Sequence, residues 1–392
     1  MIARSMEEIA LKMAGWFPVV SVTGPRQSGK STLVRKVFSE YDYVNLENID
    51  TREAALADPV GFIRDRPQRL VIDEAQLAPE LFNMIQVISD ETGEPGQYIL
   101  SGSQNFLLLR SITQSLAGRV GLLRLMPLSF AEARAEQGDL GLDDFMRKGG
   151  YPRLYDRKIP TRVYYDGYVS TYLERDVAGY LDVRNIRQFE TMLRLVAQTA
   201  GGLLNITRLA QDASVSSKTA REWLSILESS YIIFLLPPYF ANIRKRLVKT
   251  PKLYLNDTGL LCHLLGIRSF EQLRDSPMRG AVFENLIIAE SMKQYLNAGV
   301  VPEMYFYRDS RGKEVDLVDL TNAPKLVEIK SSRTFRGTFS ATVNELASLV
   351  PGGVPKERRY VVMRRDDDIV VGDVQVVSAE SWLLRCPDVS YR

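Results

Sequence analysis

The chain has 392 residues, 45% hydrophobic and 25% charged, the balance of a water-soluble globular protein with two or three domains. Fifty basic residues against 48 acidic leave a formal charge of +2, which argues neither for nor against nucleic acid; any DNA-binding surface must come from local clustering. Two cysteines, Cys262 and Cys386, and one histidine, His263, exclude a disulfide framework, a cysteine-type zinc site and any multi-histidine metal centre. His263, in GLLCHLLG, reads as packing within a buried helix. No apolar run reaches the roughly 18 residues of a membrane span. The amphipathic start MIARSMEEIALKMAGW is acidic as well as basic, unlike a signal or transit peptide. A cytoplasmic protein without membrane contact is expected.

In chain order, WFPVVSVTG ends in a β-branched run suited to a buried strand, and STLVRKVFSE has helical spacing, with Leu33, Val34, Val37 and Phe38 on one face. Between them Gly24, Pro25, Arg26, Gln27, Ser28, Gly29, Lys30, Ser31 and Thr32 spell Gly-x-x-x-x-Gly-Lys-Ser-Thr. Glycines at that spacing let backbone N–H groups turn inward on phosphate oxygens at the positive end of a helix. Lys30 then reaches the outer phosphates and the Ser31 hydroxyl meets Mg²⁺. RLVIDEAQ supplies the partner carboxylates: apolar Leu70 to Ile72, then Asp73 to hold the metal and Glu74 to orient or deprotonate the attacking water. ATP and Mg²⁺ are the expected ligands, and ATP hydrolysis the expected activity.

A further strand, GQYILSGSQ, ends in Ser101, Ser103 and Gln104 at the edge where parallel sheets bind ligands. Ser103 is the chosen contact to the γ-phosphate or lytic water. Arg119 follows a glycine before the strand VGLLRLMPL; it can act as an arginine finger on a neighbouring subunit or sit in a surface ion pair. Arg110 is the rival finger. Repeated strand-to-helix units predict a parallel, doubly wound α/β sheet with helices on both faces. The series GPRQSGKST, LVIDEAQ, ILSGSQ, LAGRV…LMPLSF, GGYP and YLERDV resembles a prokaryotic AAA+-type ATPase family. Its members carry a C-terminal domain long labelled as of unknown function and related to restriction-type nucleases. The resemblance implies Arg119 rather than Arg110 as the finger, and AAA+-like homo-oligomers.

The pair Gly149–Gly150 marks a break, giving an ATPase domain over residues 1–150. Residues 151–255 read as helices followed by a winged helix: a short helix, a turn at Ser214–Ser217, and a helix with Trp223, Leu224 and Leu227 inward. A hairpin then pairs YIIFLLPPY with PKLYLND. Glu174, Arg175 and Asp176 read as a solvated helix face, with nucleotide sensing as the lesser reading. Lys218 and Arg221 begin the second helix, and Arg244, Lys245, Arg246, Lys249 and Lys252 crowd the wing. Such basic density suits a phosphate backbone and makes DNA the expected partner. The alternatives are a protein-binding winged helix, or an ATPase lid with a solvated basic hairpin.

Residues 256–392 change pattern: a helix carrying Glu284, a hairpin ending on Glu314 and Asp316, a strand with Glu328 and Lys330 on one face, then a helix and a strand. Glu314 enters as a rival carboxylate of opposite facing. The order of elements resembles the PD-(D/E)XK nuclease core, a small α/β restriction-endonuclease-like domain. That resemblance implies Asp316 and Glu328 holding Mg²⁺, Lys330 activating water, and Glu284 completing the site. A salt-bridged surface is the competing reading. Two functions are expected: an ATPase coupled to DNA processing, or a nucleotide-switched module for a protein partner, such as a toxin–antitoxin or defence component, with an inactive nuclease fold.

Overall fold

The computed structural model describes residues 1–66, 69–103, 115–172, 186–240 and 250–387. The chain forms two compact units. The first comprises Met1–Pro127 with Ser229–Tyr231 and Leu296–Val300; the second takes Leu128–Glu228, Ile232–Tyr295 and Val301–Arg392.

In the first unit α1 (Glu7–Trp16) leads into β1 (Val19–Thr23), and α2 (Lys30–Val37) follows. Then come β2 (Asp42–Asn45), α3 (Ile49–Ala57), α4 (Pro59–Arg64), β3 (Leu70–Asp73), α5 (Leu81–Thr92), β4 (Tyr98–Gly102) and β5 (Val120–Arg124). The strands lie in the order β2-β3-β4-β1-β5, and every neighbouring pair is parallel. Central strands β1, β3 and β4 are buried along their whole length, as parallel strands covered on both faces must be. Their side chains alternate between two cores. Leu70, Ile72 and Leu100 pack with Phe62, Phe82 and Ile85 of α4 and α5. Val20, Val22, Val71 and Ile99 pack with Ile9 and Met13 of α1 and Leu33 and Val34 of α2. The register pairs Thr23 with Gly102 and Asp73 with Ser101, so β1, β3 and β4 end together at one sheet edge.

The second unit begins with α6 (Phe130–Gln137), α7 (Leu142–Lys148), α8 (Arg153–Asp156), α9 (Thr161–Tyr172) and α10 (Ile186–Gln198). The Gly149–Gly150 pair packs around Asp257. Gly150 N–H donates to its Oδ2 (2.7 Å), the Tyr165 hydroxyl to its Oδ1 (2.7 Å), and a Cβ at Gly150 would run into the Leu128 carbonyl. Next, α11 (Ile206–Asp212) is capped by Asn205, whose side chain accepts from Arg208 N–H. A turn through Ser214, in the left-handed region at φ 55°, leads to α12 (Ser217–Ser229). Trp223, Leu224 and Leu227 face inward, as the helical spacing predicts, with Trp223 edge-on to Phe189. β6 (Ile233–Leu236) pairs antiparallel with β7 (Lys252–Leu255). Then follow α13 (Thr258–Leu264), α14 (Phe270–Asp275) and the long α15 (Arg279–Asn297).

The C-terminal sheet is mixed, in the order β12-β13-β11-β10-β9-β8. Here β8 (Met304–Arg308), β9 (Glu314–Asp319) and β10 (Lys325–Lys330) form an antiparallel meander. A crossover through α16 (Thr338–Ala347) makes β11 (Arg359–Met363) parallel to β10. A hairpin of β12 (Ile369–Val371) and β13 (Val374–Ser378) adds a further parallel pair before α17 (Ala379–Leu383). Among the described residues no helix is long and apolar enough to cross a membrane.

Candidate functional site

Residues 24–29 leave the carboxyl end of β1 and enter α2 at Lys30. The turn requires left-handed backbone at Gly29 (φ 97°) and, without a glycine's freedom, at Gln27 (φ 60°). Gly24 sits so close to β5 that a Cβ would collide with the Leu125 carbonyl. Lys30 is buried, and its Nζ donates to the carbonyls of Pro25 (2.8 Å) and Gly24 (3.1 Å), so the ammonium lies over the loop itself. Behind the loop, buried Arg4 donates to the Ser28 carbonyl (2.8 Å) and the Met126 carbonyl (2.7 Å). Ser31 is half-buried on the first turn of α2 and Thr32 is exposed. No side chain caps this helix start, and the Ser28 hydroxyl is buried without a hydrogen-bond partner. A cationic side chain and an uncapped helix N-terminus around an orphaned hydroxyl fit an anionic phosphate ligand.

Asp73 and Glu74 stand at the adjacent strand end. Asp73 is 2% exposed and fully engaged: Ser101 Oγ (2.5 Å) and Glu74 N–H (3.1 Å) donate to Oδ1, and the Tyr43 hydroxyl (2.6 Å) donates to Oδ2. Burial, reinforced by the Asp73 charge, pushes the Tyr43 hydroxyl well above its ordinary pKa, so it stays a donor. Glu74 takes the left-handed conformation (φ 54°), which turns its side chain out of the strand's alternation. Its Oε2 accepts from Gln76 Nε2 (2.5 Å), Ser103 Oγ (3.1 Å) and Ser103 N–H (3.4 Å). The structure therefore brings together Asp73 with Ser101 and Glu74 with Ser103, at the edge from which the loop carrying Lys30 also departs. Gln104 and Arg110 lie outside the described residues, as do Glu174, Arg175 and Asp176.

Arg119 lies at the opposite end of the sheet. It precedes Val120, which pairs with Val19 at the start of β1, about 13 Å of strand from Thr23 at ~3.3 Å per residue. Its guanidinium forks onto Asp90 (2.5 and 2.9 Å), the surface ion pair weighed above.

On α12, Lys218 and Arg221 are exposed. Arg244, Lys245, Arg246 and Lys249 lie outside the described residues. Lys252 corrects the wing reading: it is 2% exposed, because all four residues of β7 are buried, and its ammonium points into the C-terminal acids. Lys252 Nζ meets Glu314 Oε1 (2.5 Å), Glu284 Oε1 (2.8 Å) and Asp316 Oδ1 (3.7 Å). Glu314 thus shares a face with Asp316, as residues two apart on a strand do, rather than facing away. Asp316 Oδ2 also accepts from Ile329 N–H (2.8 Å) and lies 4.0 Å from Lys330 Nζ, which pairs with Glu328. The four residues Glu284, Asp316, Glu328 and Lys330 are therefore assembled, with a second lysine among them. Burial, and next the Asp316 charge, raise the carboxyl pKa of Glu284 to about 7 and of Glu328 to about 8. Burial alone would lower the Lys252 ammonium, but Glu284, Asp316 and Glu314 outweigh it and hold the group charged. Among the described residues no group of three or more His, Cys, Asp and Glu has the arrangement of a metal centre.

Sequence reasoning missed Tyr43 and Arg4, which brace the site from β2 and the N-terminal segment. Neither belongs to a local motif; only the paired order β2-β3 brings Tyr43 beside Asp73.

The fold and this edge define an AAA-type P-loop ATPase domain, and residues 17–134 match the family model described as AAA domain. Residues 140–271 and 279–382 match two domains of unknown function, DUF8612 and DUF4143. The chain belongs to the family of the uncharacterized protein Rv2008c of Mycobacterium tuberculosis. It is 34% identical to that protein over 380 residues, covering 92% of this chain and 83% of the relative. The uncharacterized protein MJ1544 of Methanocaldococcus jannaschii is 22% identical over 341 residues, covering 79% and 73%. Among solved structures, the Walker-type ATPase PABY2304 of Pyrococcus abyssi aligns at a TM-score of 0.45 and 16% identity, over 67% of this chain and 96% of that one.

Proposed function

We propose that the protein binds and hydrolyses ATP, and that the nucleotide cycle governs DNA binding or processing by the rest of the chain. The carrying observation is the sheet edge where the Lys30 loop, Asp73 and Glu74 meet. The loop of Gly24, Pro25, Arg26, Gln27, Ser28 and Gly29 wraps the phosphates, with Lys30, Ser31 and Thr32 at the helix start above them. Lys30 releases the two loop carbonyls to hold phosphate charge. Ser31 and Asp73 would hold Mg²⁺, which when bound would supply neutralisation of the phosphate oxygens. Glu74 orients and deprotonates the attacking water, and Ser103 fixes the direction of its carboxylate. Arg119 cannot reach the loop of its own chain, so a finger role requires a neighbouring copy and a homo-oligomer.

The division proposed is an ATPase domain at residues 1–150, a helical and winged-helix segment at 151–255, and a nuclease-like domain at 256–392. DNA contact rests on exposed Lys218 and Arg221 at the start of α12, behind the helix-turn-helix and ahead of the β6–β7 hairpin. Its test is a panel of duplex, single-stranded and branched DNA with ATP and Mg²⁺, reading hydrolysis, binding and cleavage. DNA-stimulated hydrolysis lost in Lys218→Glu/Arg221→Glu supports the reading; no binding to any DNA overturns it.

A second reading has its own observation. The ammonium of Lys252 among Glu284, Glu314 and Asp316 favours an inactive nuclease-like fold and a nucleotide-switched module for a protein partner. Mg²⁺-dependent nicking of a plasmid separates the two, since only the first reading permits it.

A further inference from the structure

A side chain that fills a cation's place leaves a recognisable signature. The C-terminal acids come from two elements, Glu284 on α15 and Glu314 and Asp316 on β9, and each places an oxygen within 3.7 Å of one ammonium. A divalent ion bound by carboxylates would draw on such oxygens at about 2.0–2.6 Å. Lys252 Nζ, at 2.5 and 2.8 Å from two of them, stands where that ion would stand. The lysine is built in: its backbone pairs with Leu236 across the hairpin, and its side chain is 3% exposed. The Tyr254 hydroxyl, from the next-but-one position of β7, donates to the same Glu284 oxygen (2.7 Å). Other charges facing the cluster are Arg308, 3.4 Å from Glu314, and Lys330 on Glu328. One oxygen is left over: Glu328 Oε2 is buried without a hydrogen-bond partner.

The geometry points to Lys252 as the resident cation of this cluster: its ammonium closes the C-terminal unit against divalent metal, and its removal opens a latent divalent-cation site among the oxygens of Glu284, Glu314 and Asp316 that it now holds. The inference deepens the second reading above and rests on it only for the expectation that DNA is not cut. Buried carboxylates must be matched by positive charge or protons. With Lys252 in place the match is internal. With Lys252 replaced by an apolar chain of similar length, the same oxygens face one another with Lys330 and Arg308 as the remaining counter-charge among the described residues, and a small dication becomes the stabilising guest.

The test is Mn²⁺ binding to the full-length, nucleotide-free protein, read as loss of the free-ion electron paramagnetic resonance signal. Wild type is expected to take up no stoichiometric Mn²⁺ in the sub-millimolar range. Lys252→Met is expected to bind one equivalent at least tenfold more tightly, and adding Asp316→Asn is expected to abolish it. If Lys252→Met does not fold, judged by far-ultraviolet dichroism, Lys252→Met/Glu328→Gln removes a neighbouring buried carboxylate together with the cation and is titrated instead, with the same expectation. Wild type that binds one Mn²⁺, lost in Asp316→Asn, overturns the inference. So does a folded lysine-free variant that binds none. Binding without plasmid nicking refutes only the inference, whereas Asp316-dependent nicking by wild type refutes the second reading as well.

Discussion

Glu74→Gln separates binding from chemistry. The replacement is nearly isosteric, and its amide oxygen can still accept from Ser103 and Gln76, which now donate to the glutamate at 3.1 and 2.5 Å. Those bonds drop from charge-assisted to neutral, a local loss of about 1 kcal/mol that does not touch the Lys30 loop. Turnover loses a general base, whose contribution is about 10²- to 10⁴-fold, or about 3–5 kcal/mol in the barrier. The assay pairs titration of a fluorescent ATP analogue with phosphate release under saturating ATP. Expected are an affinity within a few fold of wild type and a rate at least ~100-fold lower. Ser103→Ala, which leaves Gln76 holding the same oxygen, should lose about tenfold, corresponding to a bond of about 1.5 kcal/mol to a charged group. Wild-type turnover in Glu74→Gln would refute the assignment of the base. A Ser103→Ala loss as large as that of Glu74→Gln would refute the idea that Ser103 works through Glu74.

Three further outcomes follow from the geometry. Because Arg119 stands at the far end of the sheet from its own loop, mixing inactive Arg119→Ala and Lys30→Ala chains should restore part of the hydrolysis; monomers with full activity would rule this out. Tyr43→Phe removes the 2.6 Å bond to Asp73 and should raise the Mg²⁺ concentration for half-maximal hydrolysis about tenfold without altering the melting profile of the sheet; an unchanged Mg²⁺ requirement counts against Tyr43 as a positioning residue. For Glu284 and Glu328, raised to about 7 and about 8 from 4.5, the folded state keeps protons that the unfolded chain loses first. Stability from these groups is therefore full below about pH 4.5 and falls as pH rises through 7 to 8. The urea midpoint should drop between pH 6 and pH 8.5, and drop less in Asp316→Asn, where the like charge is gone; equal drops in both would contradict the coupling.

The ATPase sheet edge was legible because its chemistry is contiguous in the chain. Gly24 to Thr32 and Leu70 to Glu74 each carry strand, turn and functional group within a few residues. β2 was not legible: DYVN is short and only half-buried, without the apolar run that marks β1, β3 and β4. With β2 unseen, Tyr43 had no reason to stand beside Asp73. The turn of Glu74 out of its strand is a backbone event at φ 54° that residue type does not announce. In the second unit the helix pair and its inward Trp223 followed from spacing, while Lys252 was misassigned because its neighbours in NIRKRLVKTPK are basic. Composition of the run suggested a solvated surface, but pairing in β7 buries Lys252. The C-terminal acids were found from order along the chain, but the lysine between them comes from another hairpin, a contact that only the fold supplies. The β12–β13 hairpin was likewise unread, its residues Ile369 and Val370 being exposed.

The most direct measurement of the central claim is ATP binding and hydrolysis by wild type and Lys30→Ala side by side. Lys30 holds the only ammonium on the loop, its Nζ 2.8 and 3.1 Å from the loop's own carbonyls. Wild type is expected to bind ATP and release phosphate in Mg²⁺, and Lys30→Ala to lose tight binding and turnover together while keeping its fold. Nucleotide affinity and phosphate release unchanged in Lys30→Ala would contradict the account.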